Sequence, residues 1–337
     1  MQCFAGRILS AKGSEAAWVR LEGGRVVDHG SDEPPERPTA TGWIVPSPVD
    51  AHTHVADAYL HDVPGKPRTV RELFGPGGWK HQHLQDAPLE VQSRATEAHI
   101  TGMAAAGVAG FIDFRERGLD GVQWLRGLDL AVPPTILGRP ARGGGDEREI
   151  ESVVAAADGV GLSGLRDMKR RDLEAWADAA HDARKPFAIH VSEDVRDDID
   201  AALCLDPAFV VHMTQGKPRD FEELADARVP IVVCPRSNAH FGMRPDVPAM
   251  LEAGCTVAVG TDNAMLQSPD LWDECRLLWD WFPELGDETI LRLAVAGRGL
   301  LGLPPVWPPQ RGQPLDAIVL PRDVLRPQRT KPGFAVG

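Results

Sequence analysis

A chain of 337 residues, 43% hydrophobic and 25% charged, is long enough for one large barrel with a small appendage or for two ordinary domains, and has the composition of a globular enzyme. Its formal net charge of −13 argues against a nucleic-acid backbone or an anionic membrane as the main partner. No run of about 18 apolar residues marks a transmembrane helix, and the N-terminus lacks a long apolar signal region. The five cysteines are scattered and form no C-x-x-C pair, which fits reduced thiols in a cytoplasm rather than a disulfide framework.

In chain order, Ala17, Val19 and Leu21, then Gly23-Gly24, then Val26-Val27 predict a hairpin with a Gly-Gly turn. Ser31 to Thr41 is polar and Pro-rich and reads as a connector. From 42 to about 302 apolar runs alternate with helical patterns. The run Trp43-Ile44-Val45 is read as the first barrel strand, leading into Asp50. Later strands end at Asp113, Arg139, Asp167, His190, His212, Cys234 and Asp262. Helical patterns lie between them, over 95–106, 172–184, 221–228 and 271–281. Eight strands in strict alternation with helices predict a parallel (β/α)8 barrel. An open doubly wound sheet is the alternative, weakened because no G-x-G-x-x-G follows an early strand. A helix over 288–301 and a strand over 314–320 follow, the strand expected to join the N-terminal strands. The expected domains are therefore 1–41 with 303–337, a small composite β-domain, and 42–302, the catalytic barrel. The segment 55–93 is long for a βα loop and is expected to cover the strand ends as a lid or substrate loop.

The chemistry starts at Asp50-Ala51-His52-Thr53-His54. Histidines at i and i+2 on a strand share a face, and two imidazoles on one side can hold a divalent metal. The same spacing recurs in His81-Gln82-His83, in a polar helical or loop context that makes it a decoy. His190 ends a strand, with Glu193 three residues on. This favours a third imidazole ligand beside a general acid/base, with zinc the suited ion. His212 is either a fourth ligand or a neighbour that bonds the water or substrate. Asp262, in Gly260-Thr261-Asp262-Asn263, is read as a ligand that also accepts a proton; the helix after it starts too late for a cap. In Cys234-Pro235-Arg236-Ser237-Asn238-Ala239-His240, Arg236 and His240 are candidate substrate contacts, and Asn238 belongs to the same substrate-binding loop as its buttress. Trp79, Trp272 and Trp279 are possible stacking surfaces, though aromatics at helical spacing are more often core.

This ordered set, from Pro48-Val49-Asp50-Ala51-His52-Thr53-His54 through His190-Val191-Ser192-Glu193, His212 and Cys234-Pro235-Arg236-Ser237-Asn238 to Gly260-Thr261-Asp262-Asn263, resembles the amidohydrolase superfamily. It looks nearest to the branch of guanine deaminase, adenosylhomocysteine/methylthioadenosine deaminase and the triazine hydrolases. The resemblance implies a distorted (β/α)8 TIM barrel with a small β-domain formed by both chain termini. It implies one divalent metal on His52, His54, His190 and Asp262, commonly Zn²⁺ and in some members Fe²⁺. Glu193 would be the proton shuttle, and His212 would orient or polarise the water. The expected reaction is hydrolytic deamination of an aminated nitrogen heterocycle, with ring opening of a cyclic amide or imidazolone as the alternative and a non-catalytic metal-binding barrel as the second. The expected partner is a small-molecule substrate, without nucleic acid or membrane; a homodimer is left open as an option, and a cytoplasmic location is expected. The chain is short for this branch, its loop after His54 departs from the usual substrate-loop pattern, and Lys169 past the fourth strand raises a carboxylated-lysine dinuclear site as an option.

Overall fold

The computed structural model describes residues 1–10, 13–75, 77–83, 87–304 and 306–326. Two sheets organise them. The smaller is built by β1 (Gln2–Ser10), β2 (Gly13–Glu22), β3 (Arg25–Gly30), β4 (Ala40–Pro46) and, from the other end of the chain, β14 (Ala317–Leu320), in the order β14-β4-β1-β2-β3. The β2–β3 hairpin turns at Gly23 and Gly24, with φ of 57° and 74°. Two successive positive φ values match the twist of a two-residue hairpin and favour glycine. Phe4, Ile8, Val19, Leu21, Ile44 and Val319 form this sheet's core.

The run Trp43-Ile44-Val45 lies in β4. It pairs parallel with β1 and antiparallel with β14, so it belongs to the small sheet and is not the first barrel strand. Pro46 and Pro48 explain the correction. Their fixed φ and missing N–H interrupt the ladder, and the barrel begins afresh at Val49.

The larger sheet runs through β5 (Val49–His54), β6 (Gly110–Arg115), β7 (Pro134–Gly138), β8 (Gly159–Leu162), β9 (Phe187–Val191), β10 (Phe209–His212), β11 (Ile231–Val233) and β12 (Val257–Val259), each parallel to the next. A short β13 (Asp262–Asn263) leaves β12 and pairs with β5, so one stretch of chain reaches both ends of the strand series and curls it into a distorted barrel. The Asp50 side chain helps the closure: it accepts hydrogen bonds from the N–H (2.9 Å) and the hydroxyl (2.6 Å) of Thr261. Gly260 is needed at this junction, because a Cβ there would sit 2.7 Å from the His52 backbone. Side chains alternate as the pleat demands: Ile112, Leu137, Ala188, Val211, Val232 and Ala258 fill the barrel, while their neighbours Phe111, Ile136, Ile189, Val210, Ile231 and Val257 meet the outer helices.

Those helices include Leu89–Ala105, Arg170–Asp182, Pro218–Asp226, Leu271–Trp281 and Gly286–Leu300. Among the described residues no helix is long and apolar enough to cross a membrane. The segment after β5 makes short helical pieces, Val55–Leu60, Val70–Phe74 and Trp79–His83. Leu60 and Leu73 pack with Met265, next to Phe74, Trp79 and Phe241, in a separate apolar cluster. The segment is thereby pinned to the loops leaving β11 and β13.

Candidate metal centre

The site forms where β5, β9, β10 and β13 end. A bulge prepares it. Val49 and Asp50 face Gly110 and Phe111, but the next pair is Thr53 with Asp113, so β5 carries one extra residue. Bulges re-aim side chains next to active sites. Here Ala51 fills the barrel and His52 still turns inward, its ring 4.5 Å from that of Phe114. His212, which closes β10, and Asp262, which opens β13, have φ of 78° and 63°, a conformation that costs a non-glycine residue on the order of 1 kcal/mol or more and is typical of functional sites.

The donor atoms converge. Nε2 of His52 lies 3.2 Å from Nε2 of His190. Oδ1 of Asp262 is 3.3 Å from Nε2 of His52 and 3.6 Å from Nε2 of His54. His52, His54 and His190 each place a ring nitrogen within 4.8 Å of the others, and the ring nitrogens of His52 and His212 and a carboxylate oxygen of Asp262 are gathered within the same distance. The second ring nitrogens fix the tautomers. Nδ1 of His190 donates to the Leu162 carbonyl at 2.8 Å and Nδ1 of His54 to the Phe114 carbonyl at 3.1 Å, which turns both Nε2 lone pairs inward. Burial pushes His54 down to about 3 and His212 down to about 4. Burial, with the neighbouring imidazoles, takes His190 well below its ordinary value. Burial raises Asp262, but the imidazoles around it, His52 first, pull it well below the usual carboxylate range. The Nε2 lone pairs that His54 and His190 turn inward face the Asp262 carboxylate, an arrangement that a cation among them relieves. The set of three nitrogens and one oxygen is the donor chemistry of zinc and similar ions, so these residues fit the metal expected of them.

Beside the cluster stands an acid. Burial, with the charges of Asp262, Asp194 and Asp167, raises Glu193 well above its ordinary value. Its Oε1 is 3.7 Å from Nε2 of His212. Asn238 Nδ2 donates to Nδ1 of His212 at 3.2 Å, which leaves the imidazole proton on Nε2, facing Glu193. Ser237 donates its hydroxyl to Asp262, as does Asn263 Nδ2 at 2.8 Å.

The other predicted residues are placed differently. Arg236 donates to the Ser268 hydroxyl at 3.0 Å and its backbone N–H to Glu274 at 2.7 Å, tying its loop to the helix Leu271–Trp281. His240 bonds the Pro67 carbonyl at 3.0 Å and faces Arg68 at 3.2 Å. Lys169 is exposed at the start of the helix Arg170–Asp182, where it offers no buried bridging ligand. His83 stacks on Trp79 and bonds its carbonyl. Trp272 and Trp279 spend their indole N–H groups on Ala106 and Asp287.

A second buried cluster was not anticipated from the sequence. Glu116, just past β6, has Oε1 3.3 Å from Nδ1 of His54. It pairs with Lys80 at 2.8 Å, Arg139 at 3.0 Å and Arg115. Burial raises Glu116, yet Lys80, Arg115 and Arg139 outweigh it and hold its carboxyl well below the ordinary range. Asp57 joins through Lys80 at 2.8 Å. The available signal was the charged run Arg115-Glu116-Arg117 directly after an apolar strand; Lys80 had none.

No family model matches the chain. A protein of Archaeoglobus fulgidus described as a "Putative aminohydrolase" is 34% identical over 260 residues, covering 77% of this chain and 74% of the relative. Among solved structures, Helicobacter pylori aminofutalosine deaminase in complex with methylthio-coformycin superposes with a TM-score of 0.70 at 15% identity, over 95% of this chain and 92% of that one. The atrazine chlorohydrolase of Arthrobacter aurescens TC1 complexed with zinc superposes with a TM-score of 0.64 at 18% identity, over 90% and 83%. At these identities the structural likeness shows the fold.

Proposed function

Because the chain belongs to the amidohydrolase superfamily and is thus a hydrolase of C–N bonds, we propose that it deaminates an aminated nitrogen heterocycle, a small purine-, pyrimidine- or triazine-like molecule. The observation that carries this reading is the convergence of His52, His54, His190 and Asp262 beside the Glu193–His212 pair. A divalent ion held by those four residues, zinc by preference and iron as the second choice, supplies Lewis acidity and lowers the pKa of water.

The chain's own groups do the rest. Asp262 accepts the proton that the attacking water loses. Glu193, whose pKa is raised well above the ordinary value by burial and its acidic neighbours, donates its proton to the ring nitrogen next to the amine-bearing carbon, then takes the proton held by Asp262 and passes it to the amine, which leaves as ammonia. His212 presents Nε2–H to the oxygen that develops charge, and Asn238 holds it in that tautomer. Arg236 anchors the β11 loop, and His240 stands where that loop meets the segment after β5, at the substrate's entrance. Residues 1–46 with 303–326 form the small domain in this reading, and 47–302 the catalytic one.

The test is ammonia release by zinc-loaded protein across amino-purines, amino-pyrimidines, thio-nucleosides and triazines. Glu193→Gln is expected to lower turnover by about 10²–10⁴-fold with zinc still bound. Near-full turnover in that variant would remove Glu193 from the mechanism. Silence across the panel from a zinc-loaded protein would replace deamination by ring opening of a cyclic amide.

A further inference from the structure

We propose that Lys80 is a positioning residue: it returns the segment after His54 to the metal centre and there holds two ligands, His54 through Glu116 and Asp262 through Asn263. The proposal rests on the metal-site reading above.

Lys80 lies in the short helix Trp79–His83 and is 4% exposed. The Lys80 ammonium donates hydrogen bonds to Glu116 Oε1 at 2.8 Å and Asn263 Oδ1 at 3.2 Å and forms an ion pair with Asp57 Oδ2 at 2.8 Å. Each belongs to a different part of the site. Asp57 sits in the turn directly after β5 and also accepts the Met265 N–H at 2.8 Å. Glu116 ends β6 and touches Nδ1 of His54 at 3.3 Å. Asn263 is in β13, beside Asp262. One ammonium therefore ties together the ends of three strands.

The Asn263 contact is the informative one. Lys80 takes the amide oxygen, so the amide nitrogen must point the other way, to Asp262 Oδ1 at 2.8 Å. Without the ammonium no other hydrogen bond among the described residues holds the amide oxygen, and the amide can reverse and set that oxygen against the carboxylate. Glu116 would be less affected, because Arg139 and Arg115 still hold it. The same contacts act in the opposite direction. If seating Lys80 strengthens metal binding, then metal binding must strengthen the seat of Lys80 by the same factor. The segment that carries Lys80 is then protected by the metal.

The experiment compares wild-type protein with Lys80→Met, and with Arg94→Ala as an exposed control. Zinc affinity is measured by competition with a chromogenic chelator. Tryptic cleavage after the exposed Arg68 and Arg71 is timed with and without zinc. Removing a partner outside the ligand set costs about 10–100-fold in metal affinity, and Lys80→Met belongs at the low end, about tenfold. Zinc is expected to slow cleavage in the wild type and in Arg94→Ala, and to leave Lys80→Met unprotected. Wild-type zinc affinity in a folded Lys80→Met protein, even one of lower thermal stability, would overturn the proposal, since that is what a merely structural lysine predicts. If Lys80→Met does not fold, the wild-type arm decides: cleavage indifferent to zinc overturns the latch. A wild-type protein that binds no zinc at all would sink the metal reading first, and the latch with it.

Discussion

Two clusters of buried ionisable groups meet at His54, and they are built on opposite plans. On one side, His52, His54 and His190 gather their ring nitrogens, with Asp262 Oδ1 3.3 Å from His52 and 3.6 Å from His54, and among the described residues no lysine or arginine pairs with Asp262. On the other side, Glu116, Asp57 and Asp113 are matched by Lys80, Arg115 and Arg139, three carboxylates against three permanent cations. Buried charge is tolerated only when it is paired. The second cluster completes its pairing from its own residues. The first gathers donors that could hold a metal ion, and that difference separates it from a structural ion network made of similar residues.

The sharpest way to break the contrast is to remove the ion. Chelation is expected to abolish turnover completely, with recovery on adding zinc, and His190→Ala to weaken zinc binding by more than about 100-fold, read by chelator competition. The self-sufficient cluster responds in stability instead. Arg115 is 1% exposed, and Arg115→Met leaves Glu116 and Asp113 short of a partner. The expected cost is about 3–5 kcal/mol in denaturant unfolding at unchanged zinc stoichiometry; loss of zinc there would mean that the two clusters are one. A smaller effect probes the edge of the metal side. Asn238→Ala frees His212 from its tautomer and is expected to lower kcat by roughly tenfold, about one hydrogen bond, without moving zinc affinity.

His99 sets a baseline outside both clusters. Burial, then the charge of His61, takes its pKa down to about 4. The unfolded chain therefore binds a proton that the folded chain refuses between pH 6.5 and about 4. Stability falls as pH falls through that window. His99 is partly exposed, so its share at pH 5 is discounted to about 1 kcal/mol. His99→Gln should flatten the pH dependence of the urea midpoint by that amount, and an unchanged slope would assign the effect to other groups.

The strand ends were legible because the signal is local. Apolar runs punctuated by Gly, Pro or a polar residue mark where a buried strand stops, and the chemistry of these barrels sits where strands stop. His52, His54, His190, Glu193, His212 and Asp262 each occupy such a stop, and the structure brings them together. The two H-x-H pairs separated on the same ground. Successive residues alternate faces along a strand, so His52 and His54 share one, whereas His83 lies in a short helix and turns to Trp79.

What the sequence determined by itself was the order of elements and which residues stand near the strand ends, since periodicity and punctuation act over a few residues. Tertiary structure alone decided which sheet claimed Trp43–Val45, because an apolar run states that it is buried and not against what. It alone placed the β5 bulge that turns His52 inward beside Ala51, because a bulge is defined by the partner strand's register. It turned Arg236 to Ser268 and Glu274 rather than leaving it as a bare loop cation. It also seated Lys80 between Asp57, Glu116 and Asn263, which are far apart along the chain. A charge chooses its partner by distance in space, and in this curled sheet that distance is set when β5 meets β13.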